Sequence, residues 1–174
     1  MSYHNEKESI QVLIKDNLTS LVGHHLYETI TPLQGFEVEG PYGNMTLKEI
    51  PSSITFLAGG SGIAPFMSMI RYLKSNYPAV SLHLFYSTKT KAEIAFYEEL
   101  QALHVSHELS YVHTLTQESW RGQHGMINKE FLERNGLVRD GIFFICGPSQ
   151  MVKDLSLVLR ELGIKGESII FEKY

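Results

Sequence analysis

An apolar strand that empties into a glycine-rich turn, which in turn opens a helix, restricts this chain more than any other feature. The stretch Phe56-Leu57-Ala58-Gly59-Gly60-Ser61-Gly62-Ile63-Ala64-Pro65 has that form. Its glycines are expected to adopt φ > 0 and to bring backbone N–H groups against an anion with no Cβ in the way. Pro65 is expected to start the helix, since its fixed φ suits a first helical position, its missing N–H is no loss there, and it biases Ala64 away from αR. The helix N-terminus then faces the loop, where its partial positive charge favours pyrophosphate. A turn like this also ends strands that bind nothing, so its surroundings must decide.

From residue 53 onward strand and helix patterns alternate, which predicts βαβ units around a parallel sheet. Strands are expected over Ile54 to Ala58, Val80 to Tyr86, Glu108 to Thr114, Ile142 to Cys146 and Ser168 to Phe171. Helices are expected over Phe66 to Leu73, Glu93 to Leu103, Lys129 to Arg134 and Gln150 to Leu162, the last closed by Gly163. The polar connection from Leu115 to Gly125 is longer than most, and such loops tend to be functional. It is expected to lie over the edge of a bound cofactor.

The first fifty residues hold no βαβ pattern. Ile10 to Ile14 is apolar, Gly23 to Ile30 reads as one short helix, and Gly35-Phe36-Glu37-Val38-Glu39-Gly40-Pro41-Tyr42-Gly43 reads as a strand and a turn. Ile50-Pro51-Ser52-Ser53 reads as a hinge, dividing the chain into residues 1–50 and 51–174.

With 15 basic and 19 acidic side chains the formal charge is -4, which offers no electrostatic case for nucleic acid or an anionic membrane. No window of 18 apolar residues predicts membrane insertion, and Met1-Ser2-Tyr3-His4-Asn5-Glu6-Lys7 lacks the order of a signal peptide, so a cytoplasmic location is expected. The one cysteine, Cys146, excludes an internal disulfide and a cysteine-ligated cluster within this chain, so a one-electron centre is expected on a partner. His24-His25 and His104-Val105-Ser106-His107 lack helical i, i+4 spacing, and no metal site is expected.

The turn reads GxGxxP rather than GxGxxG, and the strand that would carry an acidic residue some way on ends in Phe85-Tyr86-Ser87-Thr88-Lys89. That departure has its own match. Four separated motifs are GGSGIAP at Gly59 to Pro65, Tyr86-Ser87-Thr88-Lys89, Ile145-Cys146-Gly147-Pro148 followed by Met151, and Phe171-Glu172-Lys173-Tyr174. In order and separation they resemble the nicotinamide-binding domain of the ferredoxin-NADP reductase superfamily of FAD/NAD(P)-binding oxidoreductases, over residues 36 to 174.

The resemblance implies an α/β fold with a five-stranded parallel Rossmann-like sheet, order 3-2-1-4-5, and an incomplete β lobe in residues 1–50 as the remnant of a flavin-binding barrel. The family's flavin-gripping Arg-x-Tyr-Ser/Thr motif is missing, and the region of its second pyrophosphate contact reads Gly23-His24-His25. FAD is therefore implied by the family while most of its binding barrel lies outside this sequence. The implied function is hydride exchange between NAD(P)H and FAD, with electrons passed to an acceptor protein or a flavin-domain partner. The alternative is a nucleotide-binding module without turnover.

Residue by residue, the resemblance implies that Gly59, Gly60, Ser61 and Gly62, with Ile63 and Pro65 at the helix start, cradle the pyrophosphate. Ser87, Thr88 and Lys89 fall beside the adenosine ribose, and Gly147, Pro148, Ser149 and Met151 shape the nicotinamide slot. Cys146 matches a cysteine beside the reactive carbon, Glu172 a polar positioner, and Tyr174 a ring that stacks on the flavin as a gate. Cys146 could equally be strand core, and Glu172 a solvated end. Lys89 and Lys91 favour NADP over NAD by offering charge to a 2′-phosphate, although the same pair also reads as a solvated cluster. Trp120-Arg121-Gly122 resembles a weaker family feature near the nucleotide and also reads as local packing.

Overall fold

In a computed structural model the described residues are 11–15, 21–29, 31, 35, 37, 39, 40, 42, 43 and 45–173. The strand and turn expected over 35–43, the run from Ile10, and Tyr174 lie wholly or partly outside that set.

The strands form where apolar runs can be buried on both sides, as a parallel sheet requires. They are β1 (Ser53–Gly59), β2 (Ser81–Thr88), β3 (Ser110–Leu115), β4 (Gln123–His124), β5 (Ile142–Gly147) and β6 (Ile169–Lys173). All adjacent pairs are parallel, in the order β4-β3-β2-β1-β5-β6. The expected five-stranded sheet is thus corrected to six. The added strand is two residues long, too short for any alternation to show, and it pairs with Thr114 and Leu115 at the sheet edge. Tertiary contacts make it: Thr114 Oγ1 donates to Gly125 O at 2.7 Å and Trp120 Nε1 donates to Gln123 O at 2.6 Å.

Side chains alternate across the sheet, so each strand feeds two cores. Ile54, Phe56, Ala58, Leu84, Tyr86, Phe144 and Cys146 face one side, covered by α2 (Ile63–Asn76) and α3 (Tyr97–Val105). Leu57, Phe85, Phe143, Ile145 and Ile169 face the other, covered by α4 (Lys129–Arg134) and α5 (Ser149–Glu161). The helix expected within 23–30 is α1 (Leu21–Thr29). Leu13, Met45, Leu47 and Ile50 pack against the first core, so these four residues before 51 share it. No helix among the described residues is long and apolar enough to cross a membrane.

Two helix starts differ from the sequence reading. The helix expected from Glu93 begins at Tyr97, because Phe96 sits at φ 58 and separates it from a single 3-10 turn over Lys91–Glu93. The first crossover helix begins at Ile63, so Pro65 is its third residue and Ala64 is helical. Proline is tolerated there because the first four N–H groups of a helix have no intrahelical acceptor in any case.

Candidate functional site

At the carboxyl edge of the sheet, β1 leads into one 3-10 turn, Gly60–Gly62, and then directly into α2. Among its glycines the expected positive φ occurs at Gly60 alone, at 54°, while Gly59 and Gly62 lie at -122° and -61°. Those two are glycine for space. A Cβ on Gly59 would stand 2.5 Å from Met151 Sδ and 2.9 Å from Pro148 Cδ, and one on Gly62 would strike the Cys146 carbonyl and lie 2.9 Å from Gly147 N. A Cβ on Gly147 would in turn meet Gly59 Cα and N at 3.1 Å. The ends of β1 and β5 therefore touch backbone to backbone. Tyr86, on β2, steadies the turn by donating its hydroxyl to Gly60 O at 3.0 Å.

Two helices open at this crevice, α2 after Gly62 and α5 after Pro148, and neither preceding residue has a side chain able to cap its helix. Two N-terminal dipoles are thereby directed at one rim, the arrangement that favours an anion. Between the turn after β1, the end of β2 and the start of α5 lies a cleft of about 670 Å³. Gly59, Gly60, Ser87, Thr88, Lys89, Pro148 and Met151 line it, so seven of the expected binding residues meet there. A second cleft of about 360 Å³ adjoins it, lined by Gly60, Ser61, Tyr86 and Ala95. Of the remaining expected residues, Ile63 is core, Pro65 is half-buried in the first turn of α2, Gly62 and Gly147 are buried, and Ser149 is exposed at the start of α5.

Thr88 behaves differently from its neighbours. It is 3% exposed, and its hydroxyl donates to Thr90 O at 3.0 Å. With that proton used, Thr88 Oγ1 accepts from His113 Nε2, also at 3.0 Å, and His113 Nδ1 accepts from the Tyr111 hydroxyl at 2.6 Å. Burial pushes the His113 imidazole down to about 4 and the Tyr111 phenol upward, so both stay neutral. This chain of hydrogen bonds holds the end of β2 still, and Trp120 packs edge-on against His113 at 5.4 Å.

Cys146 is 6% exposed near the end of β5. Burial first, and the nearby Glu172 charge second, push its thiol up to about 11. It is a protonated thiol at neutral pH, poorly suited to nucleophilic work. Glu172 lies opposite Cys146 across the β5–β6 ladder, exposed, with its carboxylate against the Gly43 backbone.

The cleft also takes in Thr116, from the loop expected over the cofactor edge, and residues that sequence reasoning missed: Met126, Ile127, Gln150, Asp154 and Leu155. Helical spacing carried a signal for two of them, since Asp154 and Leu155 stand three and four positions beyond Met151 on α5. Lys15 had none. It reaches the cleft from far along the chain and pairs with Glu93 at 2.7 Å.

Comparison with known proteins agrees with this geometry. Residues 56–156 match the family described as oxidoreductase NAD-binding domain. The chain is 26% identical, over 98% of its length, to the anthranilate 1,2-dioxygenase electron transfer component of Acinetobacter baylyi, covering 50% of that protein. Over 79% of its length it is 26% identical to a component of the Na(+)-translocating NADH-quinone reductase of Haemophilus influenzae, covering 36% of it. The chain thus spans half or less of the length of these curated relatives. A solved ferredoxin NADP+ reductase from Neisseria gonorrhoeae, with bound FAD and NADP, superposes with a TM-score of 0.62 at 26% identity, over 76% of this chain and 61% of that one. The human Ncb5or CS-b5R domains, in their NAD+ form, share the fold with a TM-score of 0.79 at 23% identity, over 91% and 47%. With its family match covering more than half of its residues, and with the glycine turn, the β5 end and the parallel sheet in agreement, the chain belongs to the oxidoreductase NAD-binding domain family of the ferredoxin-NADP reductase superfamily.

Proposed function

We propose that this chain is the pyridine-nucleotide half of a flavin-dependent reductase, exchanging hydride between NAD(P)H and FAD and passing electrons to an acceptor protein. The observation that carries the reading is the crevice itself, where β1 and β5 touch through Gly59 and Gly147 while two helices open toward its rim. A dinucleotide fits these residues, since the cleft of about 670 Å³ is of coenzyme size and an added Cβ would press on the Met151 and Pro148 side chains at Gly59 and on the Cys146–Gly147 backbone at Gly62.

In this reading Gly59 to Gly62, with the α2 start at Ile63 and Pro65, hold the pyrophosphate through backbone N–H groups. Ser87 and Lys89 meet the adenosine ribose, and Thr88 contributes by fixing the strand end. Gly147, Pro148, Ser149 and Met151 form the nicotinamide slot. Nicotinamide and flavin supply the hydride chemistry when bound, and the protein supplies orientation and a dry wall. Cys146 serves as part of that wall, a small neutral group, and Glu172 positions the flavin side with Tyr174 as the gate. Residues 1–50 form the part of the protein that meets the flavin, and the cytoplasm is its location.

The test is titration with NADH and NADPH, read through the single tryptophan, Trp120. A dissociation constant below about 1 mM, where binding exceeds roughly 4 kcal/mol, is expected for at least one coenzyme. Absence of binding to either overturns the reading. Addition of FAD then separates the alternatives: bleaching of the flavin band by the bound coenzyme marks a reductase, and binding without bleaching marks a nucleotide-binding module.

A further inference from the structure

A thioether sulfur is oxidised to a sulfoxide by hydroperoxides, and a methionine reacts the more readily the more solvent reaches it. Among the described methionines, Met67 is 1% exposed, Met45, Met69 and Met151 are half-buried, and Met126 is 65% exposed. Met126 also lines the cleft of the nucleotide site, as Met151 does. Its backbone is held on both sides. Gly125 N donates to Leu115 O at 2.9 Å, and Gly125 O accepts from Thr114 Oγ1 at 2.7 Å. On the other side Ile127 is buried in the second core, and the Asn128 side chain caps α4 by accepting from Phe131 N at 2.8 Å. The start of the same loop is fastened to the end of β2 and to the segment that follows it: Thr116 N donates to Thr88 O at 2.9 Å, Gln117 N to Lys89 O at 3.0 Å, and Lys91 N to Glu118 Oε2 at 2.7 Å. An anchored backbone with an exposed side chain keeps the Met126 thioether at the cleft and open to solvent.

We infer that Met126 is a reversible oxidation site, at which a hydroperoxide lowers coenzyme affinity by making one apolar part of the cleft wall polar; the inference rests on the nucleotide-binding reading above. In the step, a sulfur lone pair attacks one peroxide oxygen, the O–O bond breaks as the S–O bond forms, and the departing hydroxide takes up a proton and leaves as water. Sulfur is oxidised by two electrons and the peroxide is reduced by two. The product carries a polar oxygen where the thioether offered a soft, polarizable surface to the coenzyme. Cys146 does not compete for the oxidant. It is 6% exposed, burial holds its thiol protonated, and a cysteine reacts as its thiolate. Met151 is the less open of the two cleft methionines, with its Sδ packed so close to Gly59 that a Cβ there would stand 2.5 Å from it. The oxidant therefore reaches Met126 first.

The experiment treats the whole chain with dilute hydrogen peroxide, locates added oxygen by peptide mass mapping, and measures NADH and NADPH binding by titration calorimetry before and after. Met126 is expected to gain one oxygen before Met45, Met67, Met69 and Met151 do, and affinity for the coenzyme to fall about three- to tenfold, as loss of one thioether contact with a ring does. Methionine sulfoxide reductases acting on both sulfoxide epimers are expected to restore it. In Met126→Leu, compared with its own untreated form, the fall is expected to vanish. Oxygen arriving first at another of these methionines, affinity unmoved by oxidation of Met126, a fall that the reductases do not reverse, or one that persists in Met126→Leu overturns the inference while leaving the nucleotide site intact. Failure of both coenzymes to bind the untreated wild type overturns the nucleotide-binding reading itself, and the role of Met126 with it.

Discussion

At Gly62 one hydrogen atom decides whether the turn after β1 can close on the end of β5, because a methyl group there would strike the carbonyl of Cys146. Gly62→Ala is therefore expected to cost about 1–3 kcal/mol of stability, measured by urea unfolding, and to weaken coenzyme binding at least about tenfold in the fluorescence titration. Cys146 offers a chemical test of its own. With its thiol pushed up to about 11, only about one molecule in a thousand is thiolate at pH 8, so alkylation by iodoacetamide is expected to be very slow there and to rise only as the pH approaches that value. His113 governs a pH dependence. Its ordinary value of 6.5 is depressed to about 4 by burial, so between those values the unfolded chain binds more protons than the folded one. Stability rises with pH across that window and is lost as pH falls through it, by on the order of 3 kcal/mol, and His113→Leu is expected to flatten that part of a urea-midpoint profile.

Among the elements, α2 and α3 cover one face of the sheet and are joined by a single arginine. Arg71 donates to both carboxylate oxygens of Glu99, at 2.8 and 2.6 Å, and lies 5.4 Å from the ring centre of Phe96. A bidentate guanidinium contact that is partly shielded from water is worth more than an ordinary surface pair. Arg71→Ala is expected to lower stability by about 1–2 kcal/mol in urea unfolding, and Arg71→Lys to recover only part of it, because an ammonium cannot reproduce the planar fork. The same contact holds Phe96 at the turn into α3, where its left-handed backbone delays the helix by four residues relative to Glu93. No local pattern announced that break, since a bulky aromatic is a poor candidate for positive φ. The loop after β3 is a similar case: its length marked it as functional, but its strand β4 and the docking of Glu118 arise only from partners on β3 and on the segment that follows β2.

For the whole molecule, coenzyme binding to the folded chain alone must raise its stability. At a hundredfold excess over the dissociation constant the gain is about 2.7 kcal/mol, which corresponds to an increase of roughly 5–10 °C in the thermal midpoint for a chain of this size, measurable by scanning calorimetry. The alternation of apolar strands with amphipathic helices was already written in the chain, because burial against the helix layers leaves a local signature in the strands, down to the Ile169-Ile170 start of the otherwise exposed β6, while the two-residue β4 leaves none. The glycine turn and the Cys146-Gly147-Pro148 strand end were legible for the same reason, as backbone closeness leaves room only for particular residue types at fixed spacing. What the sequence by itself determined, then, was the layered α/β architecture and the two strand ends that make the crevice. Only the tertiary structure decided that Thr88 turns inward to His113, that Lys15 borders the cleft, and that Glu118 docks on the segment after β2. Those placements depend on which groups distant in sequence come within hydrogen-bonding reach once the sheet has closed, and no periodicity along the chain encodes that distance.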